Sequence, residues 1–459
     1  MSAQTTSQAE GTSTKAWSYY SPVAAFRNPG KPLPGTGPVT IEGGTRRLPP
    51  QGRAEAIVCA ASTGGGNGNS NLLQYLSWNQ SSSQYELQAF AGGYCLSNNA
   101  VVSAVNTEGA PGDVNFFWLD NNNVIWQNRL QAGADGQTGF TGQQMPATPT
   151  SSTVPSKYNP STWNVGASKS NAKMYNLHVA YTPAVAGGGM NPVVYCAQNH
   201  DALVTIHGSA TSAWTTTVFS SSTTGNGLAF NDLVLVPTSE TAFVLFANVD
   251  DSPDLGVWTG LFGQPNSLTR LTKCFSRNPS LSGGGVLTQI SAGVVNPAQP
   301  ASACAFYGDS AENLLMWPAN TSSASSPIPF TPVPAPNSQT ALTYGTSSAS
   351  GALANLYTST ANGSVYVAHQ LMWSFGGQMP FFAPPSQIVT PAQGANQTAV
   401  GLTADPYPTD LPVVCTVDGS GNLYLYQLSG QQGQFSHGQY ATGQWEGGQV
   451  SVSGLRISV

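Results

Sequence analysis

Seven times along this chain an apolar, strand-like run meets a short turn and then a second run carrying aromatics. The last copy, Leu411 to Leu428, reads LPVVCTVDGSGNLYLYQL. A tight turn containing Asp-Gly between two such runs is a strong hairpin signal. Related copies begin at Asn71 (NLLQYLSWNQSSSQYELQAF), Gly112 (GDVNFFWLDNNNVIWQNRL), Asn191 (NPVVYCAQNHDALVTIHG), Thr241 (TAFVLFANVDDSPDLGVWTG), Ala301 (ASACAFYGDSAENLLMWPA) and Ala352 (ALANLYTSTANGSVYVAHQ).

Each hairpin follows a further short apolar run: Ala56–Ala60, Ala100–Val105, Leu177–Tyr181, Leu233–Val236, Leu287–Val294, Ala341–Tyr344 and Ala399–Leu402. Most are trailed by another segment, as in Trp214–Phe219 or Leu268–Phe275. Four short strands per unit is the pattern of a propeller blade. From Asn71 to Leu411 the mean spacing is about 57 residues, somewhat above the ~40–50 of common blade repeats. The longest interval holds a Pro/Ser/Thr-rich insertion, about Pro146 to Ser170, which reads as a surface loop. The predicted fold is all-β: a single β-propeller of about seven four-stranded blades, spanning residues 55–459. Residues 1–54 lie outside the repeat, are rich in Pro and Gly, and read as an extended N-terminal arm. The alternating tail Gln449–Val459 is expected to supply a closing strand, with Val39–Glu42 as a clasp between the chain ends.

Composition agrees. Charged residues make up 7% of the 459, against an ordinary level of about 25%. Lys, Glu and Arg are good helix formers, and β-branched, aromatic and turn residues take their place. With 14 Lys and Arg and a formal charge of -6 there is no basic patch, so nucleic acid and anionic lipid are not expected partners. No apolar run approaches the ~20 residues that span a bilayer, so membrane insertion is not expected. Met1 to Trp17 lacks a basic segment followed by an apolar core, and the chain is expected to be cytoplasmic or secreted without a leader. None of the six cysteines forms a CxxC pair or lies at zinc-ligand spacing from a histidine. Cys196, Cys304 and Cys415 fall at matching places in three units, too far apart to bridge one another, and read as buried free thiols.

No G-x-S-x-G elbow, HExxH, phosphate loop or dinucleotide fingerprint occurs. The apolar first strands offer almost no carboxylates to a glycosidase centre on the axis; Asp232 and Asp405 stand near the right ends without support. Asp120, Asp250, Asp309 and Asp418 occupy corresponding turns, where Asp serves local turn geometry. The cluster Asn248, Asp250, Asp251 and Asp254 gathers hard oxygen ligands and is the candidate calcium site, though it lacks the glycine and distal Glu of an EF-hand loop. No other cofactor is implied. Trp126, Trp258, Trp317 and Tyr426 share a place on the third strands. Large rings there fill twisted interfaces between blades. They also suit stacking on the apolar face of a pyranose. Gln127, Asn128 and Arg129 follow Trp126, which makes that run the best single candidate for binding sugar hydroxyls.

On these hairpins, turn aromatics and polar uncharged residues, the chain from about Glu55 to Val459 resembles the repeat-built propeller lectins of fungi and bacteria. It departs from the fucose-binding members, which repeat an Arg, Glu and Trp set in nearly every blade; Arg129 is the only arginine beside a third-strand Trp. The resemblance implies a non-catalytic, multivalent carbohydrate-binding protein whose partners are glycans or glycoproteins. The ligand-binding candidates are Trp126, Gln127, Arg129, Trp258, Trp317 and Tyr426. The alternative is a protein-interaction or structural scaffold, and the third reading is a polysaccharide-active enzyme.

Overall fold

The computed structural model describes the strands named below and the connecting residues 80–83, 182, 238–241, 262–268, 271, 421–422, 450–455 and 457. These strands form seven sheets of four or five strands and one two-stranded hairpin. Blade 1 takes Val23–Pro32, Gly52–Ala60, Ser70–Asn79 and Gln84–Leu96. Blade 2 takes Val101–Asn106, Asp113–Leu119, Ile125–Ala132 and Thr138–Gly139. Blade 3 takes Met174–Tyr181, Pro192–Gln198, Ala202–His207 and Thr215–Ser220. Blade 4 takes Phe230–Pro237, Ala242–Val249, Leu255–Leu261 and Thr269–Arg270. Blade 5 takes Ile290–Val294, Ala303–Gly308, Leu314–Pro318 and Ile328–Pro329. Blade 6 takes Pro336–Tyr344, Ala354–Thr360 and Val365–Trp373, with Pro380–Phe382 and Ser386–Val389 sharing the outer edge. Blade 7 takes Ala399–Ala404, Val413–Asp418, Leu423–Gly430 and Gly443–Gln449. Every pairing within a blade is antiparallel.

The first strand of each blade touches the first strand of the next, and that of blade 7 returns to that of blade 1. The chain is therefore a closed β-propeller. Strand alternation explains why its sheets need neighbours on both sides. In blade 7, Val413, Cys415 and Val417 pack on Val23, Ala25, Ala54, Ala56 and Val58 of blade 1. Val414, one step out of phase, packs on Tyr357, Val365 and Val367 of blade 6. Successive side chains of a strand point to opposite faces, so a strand buried on both faces is apolar at nearly every position. The second strands of blades 3, 4 and 5 repeat the pattern at Val193–Ala197, Phe243–Ala247 and Ala303–Phe306, all buried. Cys196, Cys304 and Cys415 are buried and lie outside any disulfide, as expected from their matching places.

Blade 1 departs from the sequence reading. Its inner strand, Val23–Pro32, comes from the stretch read as an arm over 1–54, and position 55 falls inside its second strand. The hairpin beginning at Asn71 forms its third and outer strands, not its second and third. Two prolines and a glycine crowd the end of VAAFRNPGKP and outweigh its apolar start by composition. Yet Val23, Ala24, Ala25 and Phe26 are all buried. The predicted clasp also differs. Thr40–Ile41 pairs with Gly44–Thr45, not with the C-terminal tail. The outer strand of blade 7 is Gly443–Gln449, and the tail beyond it folds back so that the Ile457 N–H donates to the Gly421 carbonyl at 3.0 Å.

Each blade is thus one continuous stretch of chain, and side chains close the ring. Beyond the Ala56–Leu76 pair the ladder between the second and third strands of blade 1 stops. The Ala54 N–H donates to Gln427 Oε1 of blade 7 at 2.8 Å, and Tyr85 Oη donates to the Ala54 carbonyl at 2.9 Å. The Trp78 N–H donates to Glu55 Oε1 at 2.8 Å, and Tyr75 Oη donates to Glu55 Oε2. Glu55 is fully buried, so these donors replace the water its carboxyl has given up. Arg53 lays its guanidinium 3.9 Å from the centroid of the Trp78 ring.

Replacing Gln427 by Ala removes the acceptor for a buried N–H. The expected loss of stability is about 1–3 kcal/mol by urea denaturation. Gln88→Ala, on the exposed outer strand of blade 1, is expected to stay within about 0.5 kcal/mol of the parent.

Candidate functional site

The four third-strand aromatics occupy one equivalent register row. Residues directly paired across antiparallel strands share a face. Trp258 pairs with Leu245, which packs toward blade 3. Trp317 pairs with Ala305, which packs toward blade 4. Tyr426 pairs with Val414, which packs toward blade 6. Trp126 pairs with Trp118, one step out of phase with Phe117, whose ring packs toward blade 3. All four rows therefore belong to the face turned toward the preceding blade.

The two rows with described aromatic side chains are closed to ligand. Trp258 is 1% exposed and sits in the core between blades 3 and 4. Its ring lies over Gly256, where any Cβ would collide with the six-membered ring. Tyr426 is 3% exposed; burial, and then the neighbouring Tyr424, push its phenol above the usual tyrosine range. Gly447 stands opposite it with φ +135°, and a Cβ there would strike the Leu425 carbonyl. Trp258 and Tyr426 are thus buried among the side chains between blades. Their recurrence reflects the large volume between radiating sheets.

Register also separates the Trp126 run. Trp126 and Asn128 stand in the row of Trp118 and Phe116, and Gln127 and Arg129 in the row of Phe117 and Asn115. Positions 126 and 128 therefore share one face of the sheet, and positions 127 and 129 the other. Gln427 follows Tyr426 as Gln127 follows Trp126, and Gln427 reaches the next blade's backbone. The side chains of Trp126, Gln127, Arg129 and Trp317 lie outside the described residues, as do Asp250, Asp251, Asp254 and the side chain of Asn248. Among the described residues no group of three or more His, Cys, Asp or Glu could hold a metal ion.

The exposed positions have their own chemistry. Gln84, Gln88, Thr215, Thr269, Gln387, Gln449, Ser451 and Ser453 are exposed on or beside outer strands of five blades. These are neutral amides and hydroxyls; Glu86, also exposed on the outer strand of blade 1, is charged. Sequence reasoning missed the buried Glu55 and the half-buried His178 and His207, because each sits singly in an apolar run. Cys196 is driven well above its ordinary thiol range by burial and is chemically inert. No helix among the described residues is long and apolar enough to cross a membrane.

No family model matches the chain, and no curated protein sequence matches it either. Solved structures similar to it include a fungal lectin from Aleuria aurantia, a six-bladed β-propeller with a novel fucose recognition mode. That match is 14% identical, covers 77% of this chain and 95% of that one, and has a TM-score of 0.45. AofleA from Arthrobotrys oligospora is 12% identical over 77% of this chain and 86% of its own, with a TM-score of 0.42. Human WBSCR16 is 11% identical over 94% and 93%, with a TM-score of 0.39.

Gly256→Ala is expected to lower stability by about 1–3 kcal/mol, because the added methyl must displace the buried Trp258 ring. Thermal denaturation followed by tryptophan fluorescence checks this. A ring free to swing into solvent would leave the melting temperature unchanged.

Proposed function

We propose that this chain is a non-catalytic carbohydrate-binding protein that takes glycans or glycoproteins at several places around the ring. One observation carries the reading: among the described residues the exposed outer-strand positions are mostly amides and hydroxyls, with Glu86 the charged exception. Sugar hydroxyls are neutral donors and acceptors. Pairing them with Gln, Thr and Ser avoids stripping water from ions, which is the larger penalty. Rigid presentation of several weak sites raises overall avidity without any new contact.

Within this proposal Gln127 and Arg129 form one polar pair on blade 2. Trp126 and Asn128 form a separate aromatic and amide pair on its other face. Trp317 is the remaining aromatic candidate, on blade 5. Calcium held by Asn248, Asp250, Asp251 and Asp254 is proposed only as an accessory to such binding.

Binding of the purified chain to an array of neutral oligosaccharides tests the reading. Specific signals are expected, weakened at least tenfold in a Gln127→Ala/Arg129→Ala double variant of unchanged melting temperature. A silent array together with a stable protein complex in a pull-down would replace this reading with that of an interaction scaffold. Loss of array signal on chelation, restored by calcium, is expected only if the Asn248–Asp254 cluster takes part.

A further inference from the structure

Blade 3 turns one polar row toward blade 4. His178, Tyr195, Thr205 and Thr217 lie side by side across its four strands, each paired with the next in register. His207 stands two residues beyond Thr205, on the same face. Thr217 Oγ1 accepts the Gly263 N–H of blade 4 at 3.1 Å. Three other polar atoms of this face, His178 Nε2, Thr205 Oγ1 and His207 Nδ1, are enclosed with no hydrogen-bond partner. The wall they meet on blade 4 is Leu233, Leu235, Phe243, Leu245, Trp258 and Phe262, all buried.

Both imidazoles are held by rings. His178 stacks on Tyr195 with centroids 5.5 Å apart, and His207 on Phe262 at 4.9 Å. Among the described residues, the other groups that titrate or carry charge toward this joint are Tyr195 on blade 3 and Arg270, which pairs with Trp258 on blade 4. Arg270 is a cation and so opposes a second positive charge. The described acidic side chains are Glu55 and Glu86 of blade 1 and Glu240, exposed in a blade 4 turn. Asp232 stands one step out of phase with Leu233 and Leu235, in the register row of Val234 and Val236, which pack toward blade 5. No described carboxylate therefore faces either imidazole.

We propose that the joint between blades 3 and 4 is an acid-sensitive hinge, loosened when His178 and His207 become cations while His178 Nε2 and His207 Nδ1 have no hydrogen-bond partner in the closed joint.

Stacking on Tyr195 and Phe262 offers an imidazolium some cation–π attraction. Desolvation outweighs it: burial lowers His178 to about 4 and lowers His207 as well. The sign follows from linkage. Below the unperturbed histidine value of about 6.5 the opened joint binds protons that the closed joint refuses, so closure weakens as pH falls. Above that value the histidines contribute no pH dependence. For His178 the window runs from about 6.5 down to about 4. The closed-to-open ratio falls by up to about tenfold per pH unit for each histidine within its window. At pH 5, His178 alone favours opening by roughly twentyfold over pH 7.

Hydrogen exchange of the full chain at pH 7 and pH 5, corrected for intrinsic amide rates, reads the opening segment by segment. Opening is expected to rise at least tenfold at pH 5 across 174–182, 192–198, 202–207 and 230–249. Strands 303–308 and 314–318 of blade 5 are expected to stay unchanged. His178→Phe/His207→Phe keeps the stacked rings and is expected to abolish the acid response. If that variant does not fold, the parent's comparison of blades 3 and 4 with blade 5 still decides. An equal response in all blades, or no response between pH 7 and pH 5, overturns the proposal.

Discussion

Among the described residues, the sheets of blades 3, 4 and 7 bury apolar side chains on both faces, and that constraint governs everything else. Val413, Cys415 and Val417 cover blade 1 while Val414 covers blade 6. In blade 3, Val193, Tyr195 and Ala197 face blade 4 while Val194 and Cys196 join the core shared with blade 2. A row of such sheets would leave one apolar face bare at each end, and exposed patches of that kind are rare on soluble proteins. Closing the row into a ring covers the last face with the first.

Closure is asymmetric in its chemistry. Most joints are apolar, built from Val, Leu, Ala and Phe. The joint between blades 7 and 1 adds a buried hydrogen-bond network on Ala54, Glu55, Tyr85 and Gln427. Backbone pairing lapses there, and side chains satisfy the groups it leaves. Chain ends that share no strand must meet with fixed register, and polar contacts discriminate register more sharply than apolar ones. The joint between blades 3 and 4 gathers three enclosed polar atoms without a hydrogen-bond partner on one face, His178 Nε2, Thr205 Oγ1 and His207 Nδ1.

Much of this architecture was legible in the residues. The hairpin beginning at Leu411 and its relatives stand out because a tight turn between alternating runs is a local signal. Inner strands such as Leu233–Val236 were legible as continuous apolar runs. Val23–Phe26 was not, because its strand ends in Asn-Pro-Gly-Lys-Pro and pairs with a partner over twenty residues away. The candidate site was legible only as a recurrence. Trp258 and Tyr426 recur because wedge-shaped gaps between blades take large rings, and one residue's identity carries no record of which face it turns to. Register supplies that, and it divides Trp126 from Gln127 and Arg129. Glu55 was invisible for a similar reason: its partners Tyr75 and Trp78 become neighbours only when the sheet forms.

Ring closure is tested most directly by distances between spin labels on cysteines placed at three exposed positions, Gln88 in blade 1, Asn266 in blade 4 and Ser453 beside blade 7. A closed wheel makes the 88–453 distance the shorter one and the 88–266 distance the longer, since blades 1 and 7 adjoin while blade 4 lies across the axis. The reverse order, with 453 farther from 88 than 266 is, would mean an open arc of sheets and would contradict the account.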